Sequence, residues 1–145
     1  MAIAEATSTA PFKVAKVHPP LVSKGKSSDS LGRLDILGLG VQVVSPDGGD
    51  TNLHSHPGMD SSWLVMDGSA TFYTVNDRVI AELERNELIM IPAGAPYWFK
   101  ANGDKPAVLL HVTAKVPGLK GKDRIDYQPY RDKPGEIIPG AFFEG

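Results

Sequence analysis

Glycine and proline interrupt this chain at short, regular intervals, and this punctuation constrains the fold more than any other feature of the sequence. The 145 residues include 15 glycines and 12 prolines. Turn signals of this density divide the chain into segments that suit short strands better than helices. No stretch of helical periodicity is long enough for a crossover helix, which argues against a parallel sheet. The pattern therefore predicts an all-β sandwich or barrel.

The predicted strands lie between these turns, and the longest of them carries two glycines. Gly38 and Gly40 are expected to mark a bulge or a point where two backbones approach closely. Residues 23–30 are rich in serine and predict a loop. The predicted strands are residues 12–17, 34–44, 51–56, 62–66, 69–75, 78–83, 87–91, 97–100 and 107–114.

A chain of 145 residues suits one compact domain. We divide it into three parts. Residues 1–30 form an N-terminal arm with a first strand, and residues 31–115 form the β-barrel. Residues 116–145 form a tail of proline, glycine and charged residues that packs on the barrel or on a partner subunit.

Composition excludes several classes of function. The 15 Lys and Arg residues nearly balance the 17 Asp and Glu residues, and no block of like charge predicts a nucleic-acid partner. The absence of cysteine excludes disulfides, thiolate metal sites and cysteine nucleophiles. No apolar segment approaches the roughly 20 residues of a membrane span, and no signal peptide is evident. We therefore expect a cytoplasmic protein that does not associate with membranes.

Two of the four histidines, His54 and His56, lie two residues apart in a predicted strand. Residues at this spacing point to the same face of a strand, so the two imidazoles are aimed at one point. Such a pair is typical of a metal site. The alternative is that both rings lie on a solvated face.

Two longer motifs surround this pair. Residues 48–68 read GGDTNLHSHPGMDSSWLVMDG, and residues 86–102 read NELIMIPAGAPYWFKAN. The first resembles the first signature of the cupin superfamily at Gly48, His54, His56 and Gly68. The second resembles the second signature at Pro92 and Gly94. The resemblance implies a cupin-type antiparallel β-barrel, a jelly-roll-like double-stranded β-helix in a single domain.

The resemblance also implies a ligand set, from which this chain departs. Cupins usually hold a metal with the two histidines, a glutamate and a third histidine. The glutamate position is Ser61 here, and the third histidine position is Tyr97. Asp60, Tyr97 or His111 would be needed to complete the site. For each a simpler interpretation stays open, namely a turn carboxylate, a barrel-wall aromatic and a core histidine.

Three hypotheses follow. The first, which we prefer, is an enzyme that uses a divalent transition metal (Fe, Mn, Ni or Zn) held by His54 and His56, with Asp60 or His111 as further ligands. It would act on a small oxygenated substrate as an oxygenase, isomerase or lyase. The second is a metal-free enzyme, a dehydratase, cyclase or isomerase, with Tyr97 and His111 as acid and base. The third is a non-catalytic binder of a small ligand.

We also expect a homodimer. Cupins of this size commonly pair through their terminal segments, and this chain carries an arm at both ends. Burial of Phe142 and Phe143 against a partner would cover apolar surface that is otherwise exposed.

Overall fold

The computed structural model describes residues 2–8, 10–118 and 124–145. Within these ranges the regular structure is all β apart from one 3-10 turn, Val75–Asp77. No helix in the described ranges is long and apolar enough to cross a membrane. The strands are β1 (Pro20–Lys24), β2 (Lys26–Arg33), β3 (Leu37–Val44), β4 (His54–Ser55), β5 (Met59–Asp67), β6 (Ala70–Tyr73), β7 (Val79–Leu83), β8 (Leu88–Ile91), β9 (Trp98–Ala101), β10 (Ala107–Lys115), β11 (Ile125–Asp126) and β12 (Glu136–Phe142).

The strands form a jelly-roll-like arrangement, which confirms the predicted fold class. A five-stranded sheet has the order β2-β3-β10-β5-β8, and a three-stranded sheet has the order β7-β6-β9. Two smaller sheets pair β1 with β12 and β4 with β11. Every strand pairing is antiparallel. The strands of the described ranges make these four separate sheets rather than one closed barrel.

The five-stranded sheet separates two apolar clusters. Side chains alternate between the faces of a strand, so Ala107 and Leu109 of β10 pack into the inner cluster and Val108 packs into the outer one. The inner cluster also contains Trp63, Phe72, Tyr97 and Phe99. His111 continues the inner face of β10, and Gln42 shares the inner face of β3 with Val44. The sheet thus directs several polar side chains inward beyond the end of the apolar core.

The start of the chain differs from the prediction. Residues 12–17 form no strand, and the Phe12 side chain is 98% exposed. Their alternating sequence resembles a strand, yet their backbone lies on no sheet edge. The loop predicted for residues 23–30 is also wrong, because β1 and β2 fill it and turn at Gly25, whose φ of 71° suits glycine. The predicted boundary at residue 30 falls inside β2.

The described part of the tail packs on its own chain. Strand β12 pairs with β1, and β11 pairs with β4. The Phe142 ring stacks on His18 with 4.7 Å between ring centroids, and Phe143 packs against the outer cluster. Residues 119–123, which belong to the predicted tail, lie outside the described residues.

Candidate functional site

His54 begins the short strand β4, and His56 follows the end of that strand, directly before Pro57. Their ring centroids are 5.0 Å apart, and the ring planes are nearly perpendicular at 83°. His54 is buried, with 3% of its surface exposed, whereas His56 is half-buried. The structure therefore brings the two imidazoles together at the edge of the inner core.

The protonation of His54 is fixed by its backbone neighbour. Its Nδ1 lies 2.7 Å from the carbonyl oxygen of Asn52. A carbonyl oxygen only accepts hydrogen bonds, so Nδ1 carries the proton and Nε2 of the neutral ring keeps its lone pair. Burial lowers the pKa of His54 to about 4. Near neutral pH the ring is thus uncharged, with Nε2 as the basic nitrogen.

Tyr97 lies directly beside His54. The two residues exchange backbone hydrogen bonds of 2.9 and 3.1 Å, which place their ring centroids 4.5 Å apart. The phenol oxygen accepts a hydrogen bond from Trp63 Nε1 at 3.2 Å and makes another with Ser61. Burial raises the pKa of Tyr97 to about 12. The phenol therefore stays protonated and is a poor source of a phenolate ligand.

The other predicted ligand, Asp60, lies apart from the imidazoles. On β5, Ser61 and Trp63 are buried, and Asp60 alternates with them and is exposed. One oxygen of the Asp60 carboxylate accepts the Ala93 N–H at 2.8 Å. The local turn thus uses this carboxylate, and the structure does not bring it to His54.

His111 lies on the inner face of the sheet and is half-buried. It pairs with Trp63 across the β10–β5 ladder, and the two rings stack with centroids 3.7 Å apart and planes within 5°. Burial lowers the pKa of His111 to about 3, and nearby His56 and His54 contribute to this shift. Its Nε2 is buried without a hydrogen-bond partner among the described residues. His111 is thus a neutral polar group beside the histidine pair.

The donor set does not fit a metal centre of the usual cupin kind. Among the described residues no group of three His, Cys, Asp or Glu side chains could hold a metal ion. Protein sites for transition metals generally use three or more side-chain ligands. The two altered positions, Ser61 and Tyr97, are hydrogen-bonded to each other. They form a neutral hydroxyl pair where a ligating carboxylate and imidazole were expected.

The hydrogen-bonded side chain of Asn52, which lies two residues before His54, was not identified from the sequence. The Asn52 side chain is fully buried, and its oxygen accepts a hydrogen bond from Arg124 Nη2 at 2.7 Å. Its nitrogen donates to Asp126 Oδ1 at 2.9 Å and to the Gln128 carbonyl at 2.8 Å. Arg124 also donates to Asp126 at 2.8 Å. An asparagine two residues before His54 was the only local signal, because its partners are distant in sequence.

Comparisons with known proteins agree with this geometry. A germin-like protein from Morus alba is 29% identical over 113 residues, which cover 73% of this chain and 53% of that protein. The chain thus spans about half the length of this relative. A solved chain from DMSP lyases is 25% identical with a TM-score of 0.57, covering 71% of this chain and 53% of that one.

A conserved Klebsiella pneumoniae protein with a double-stranded β-helix domain is 20% identical with a TM-score of 0.60. The match covers 72% of this chain and 86% of that one. Finally, the family model of the cupin domain matches residues 40–113, which run from Gly40 in β3 to Thr113 in β10. The chain therefore belongs to the cupin family.

Proposed function

We propose that this cupin is a small-molecule enzyme that works by acid–base chemistry without a metal. It acts on a small oxygenated substrate, in a reaction of the isomerase, dehydratase or lyase type. His54 is the base, and Tyr97 donates a hydrogen bond to the substrate oxygen. The observation that carries the proposal is the Nδ1 contact of buried His54 with the Asn52 carbonyl, which leaves a neutral ring with a basic Nε2.

Each group suits one part of such a reaction. An uncharged imidazole can remove a proton from the carbon next to a carbonyl. The negative charge that develops on the carbonyl oxygen is stabilised by a hydrogen-bond donor already in position. Tyr97 is such a donor, since its pKa of about 12 keeps the phenol protonated. The Trp63 N–H and the Ser61 hydroxyl hold the phenol in place. DMSP lyases with this fold show that it accommodates lyase chemistry.

The metal-dependent alternative has less support in this chain. His54 and His56 supply two imidazoles, and neither Asp60 nor Tyr97 adds a suitable third ligand. His111 does not complete the site either, because no three His, Cys, Asp or Glu side chains of the described residues form a group that could hold a metal ion. Metal analysis of protein purified without a histidine tag decides the matter. A stoichiometric metal that is lost in His54→Ala, together with activity that requires it, would overturn the proposal.

Proton abstraction can be assayed before the natural substrate is identified. We expect the protein to exchange the carbon-bound protons next to the carbonyl of some small oxo acids and oxo alcohols in deuterated water, followed by proton NMR. His54→Gln should slow this exchange by about a hundredfold or more, the usual contribution of a general base. Tyr97→Phe should slow it by about a hundredfold as well, since it removes the oxyanion donor.

The matched control is His18→Gln, because His18 stacks on Phe142 outside the site and should leave exchange unchanged. Exchange that survives in His54→Gln would refute the assignment of the base. A protein that binds such compounds but exchanges none of their protons would instead be a non-catalytic binder.

A further inference from the structure

A cavity of about 240 Å³ opens on the inner face of the five-stranded sheet, next to His111. It is smaller than the roughly 300–1,000 Å³ of pockets for drug-sized ligands, so its size suits a small metabolite. Polar side chains from three adjacent strands line much of it, namely Ser28, Ser30, Arg33, Gln42, His111 and Thr113.

Two glycines create this space. Gly38 and Gly40 lie on the same face of β3 as Gln42, where side chains would otherwise fill the cavity. A Cβ atom on Gly38 would lie 2.7 Å from Thr113 Oγ1 and 3.5 Å from Arg33 Nη1. A Cβ on Gly40 would lie 3.2 Å from the Asp29 carbonyl oxygen. The sequence predicted a close approach at these two glycines. The cavity stays open because neither glycine carries a side chain that would fill it.

The inner end of the cavity carries two polar atoms that need a partner. Gln42 Oε1 and His111 Nε2 are both buried, and neither has a hydrogen-bond partner among the described residues. A buried polar atom without a hydrogen-bond partner is energetically unfavourable. A ligand hydroxyl can donate to the Gln42 amide oxygen and accept from His111 Nε2, in the neutral tautomer that carries its proton on Nε2.

The outer end of the cavity carries a positive charge. Arg33 lines it, and none of the three ion pairs of the described residues involves Arg33. Lys26 points to the same face but is already paired with Asp132 at 3.3 Å. Asp29 also borders the cavity, yet it pairs with Val41 and so directs its side chain to the opposite face. A carboxylate suits an arginine at this mouth, because its two oxygens can accept two parallel hydrogen bonds from the guanidinium group.

We infer that this cavity binds a small hydroxy acid, with its carboxylate on Arg33 and its hydroxyl between Gln42 and His111. The identification of this acid as the substrate, or as a close analogue of it, rests on the proposed function. The binding of the acid does not depend on the proposed function, because its contacts lie on β2, β3 and β10 rather than at His54.

Three compounds of one shape test the inference by calorimetry: 3-hydroxybutyrate, butyrate, which lacks the hydroxyl, and butane-1,3-diol, which lacks the carboxylate. We expect 3-hydroxybutyrate to bind at least about tenfold more tightly than either of the others, since each loses one polar contact. Arg33→Gln should weaken the two acids by about tenfold and leave the diol unchanged. Gln42→Leu should abolish the preference for 3-hydroxybutyrate over butyrate.

Arg78→Gln is the control, because this exposed arginine lies beyond the 3-10 turn and away from the cavity. Equal affinity for all three compounds, or acid binding that survives both Arg33→Gln and Gln42→Leu, would overturn the inference. No binding of any of the three at millimolar concentration would do the same.

Different results would refute the proposed reaction and the proposed binding of a hydroxy acid in the cavity. Tight binding of 3-hydroxybutyrate by wild type and by His54→Gln, with no proton exchange on any compound, would support the cavity and refute the proposed reaction. Exchange on neutral carbonyl compounds without acid binding would do the reverse.

Discussion

At the residue scale, the contact between His54 Nδ1 and the Asn52 carbonyl predicts one tautomer and one charge state. Because burial lowers the pKa of His54 to about 4, its ring nitrogens should not titrate between about pH 8 and pH 5, where an unperturbed histidine would. Heteronuclear NMR of the imidazole nitrogens measures this directly. A protonation midpoint near the ordinary value of 6.5 would show that the ring is not desolvated as the structure has it.

Some side chains near the candidate site could be predicted from local sequence spacing, whereas others reach it only through the pairing of distant strands. A spacing of two residues determines a common face, so His54 and His56 could be paired from local geometry alone. Trp63 and Gln42 meet His111 only through the register of strands distant in sequence, which periodicity does not specify. Gln42 did carry a signal, as a polar residue between valines in an otherwise apolar strand.

At the element scale, Asn52 joins the segment before β4 to the chain around β11. Asn52→Ala would remove three side-chain hydrogen bonds to Arg124, Asp126 and Gln128. We expect a loss of about 2 kcal/mol in unfolding free energy, since the fully buried Asn52 side chain loses its hydrogen bond from the charged Arg124 together with its two donated bonds. Hydrogen exchange should become faster in residues 124–131, because their main anchor is gone.

A matched control for this variant is Asp67→Asn, which removes the exposed ion pair with Lys105 at 3.2 Å. Exposed pairs contribute little, so its unfolding free energy should change by less than about 1 kcal/mol. Equal effects of the two substitutions, or unchanged exchange in residues 124–131, would contradict the role given to Asn52.

The sequence predicted a strand correctly where turn residues mark both of its ends. It failed where a segment becomes a strand only because a distant strand pairs with it. The turns at Gly68 and at Pro92–Gly94 divide the central strands as expected. Strand β2 is polar and lies at a sheet edge, where few side chains are buried, so its serines looked like a loop. Strand β12 forms because β1 offers an edge more than a hundred residues away, and no local pattern reports such a partner.

At the scale of the whole molecule, the lowered pKa values of His54 and His111 predict acid sensitivity. Folding lowers the pKa of His54 from 6.5 to about 4 and that of His111 to about 3. The unfolded chain therefore binds protons first, and stability is lost as pH falls from 6.5 towards these lower values. The His54 shift alone corresponds to about 3 kcal/mol.

Denaturant unfolding at a series of pH values measures this loss. His54→Gln should reduce the slope between about pH 6.5 and pH 4, because it removes one of the groups that titrate differently in the two states. A stability that is constant across this range in wild type would contradict the burial of both rings.

The exposed apolar side chains of the N-terminal arm are where we expect a second copy of the chain to bind in the predicted homodimer. Of the two phenylalanines expected to contact a partner, Phe143 packs on the outer cluster, and Phe142 stacks on His18 but stays 43% exposed. In contrast, Phe12 and Val14 are 98% and 97% exposed on a segment that belongs to no sheet. Neighbouring apolar side chains exposed to this extent are typical of an interaction surface. A second copy of the chain would cover them.

We therefore expect sedimentation equilibrium to give twice the mass of one chain, and the double substitution Phe12→Ser with Val14→Ser to give a monomer. Neither residue contacts the core, so the variant should unfold at the same denaturant concentration once its monomeric state is taken into account. Met90→Ser is the control, because Met90 is also exposed, at 77%, but lies on β8 at the edge of the five-stranded sheet. If Met90→Ser dissociates the dimer and the arm variant does not, the copies pair along that sheet edge instead. A wild-type protein with the mass of one chain would refute dimerisation altogether.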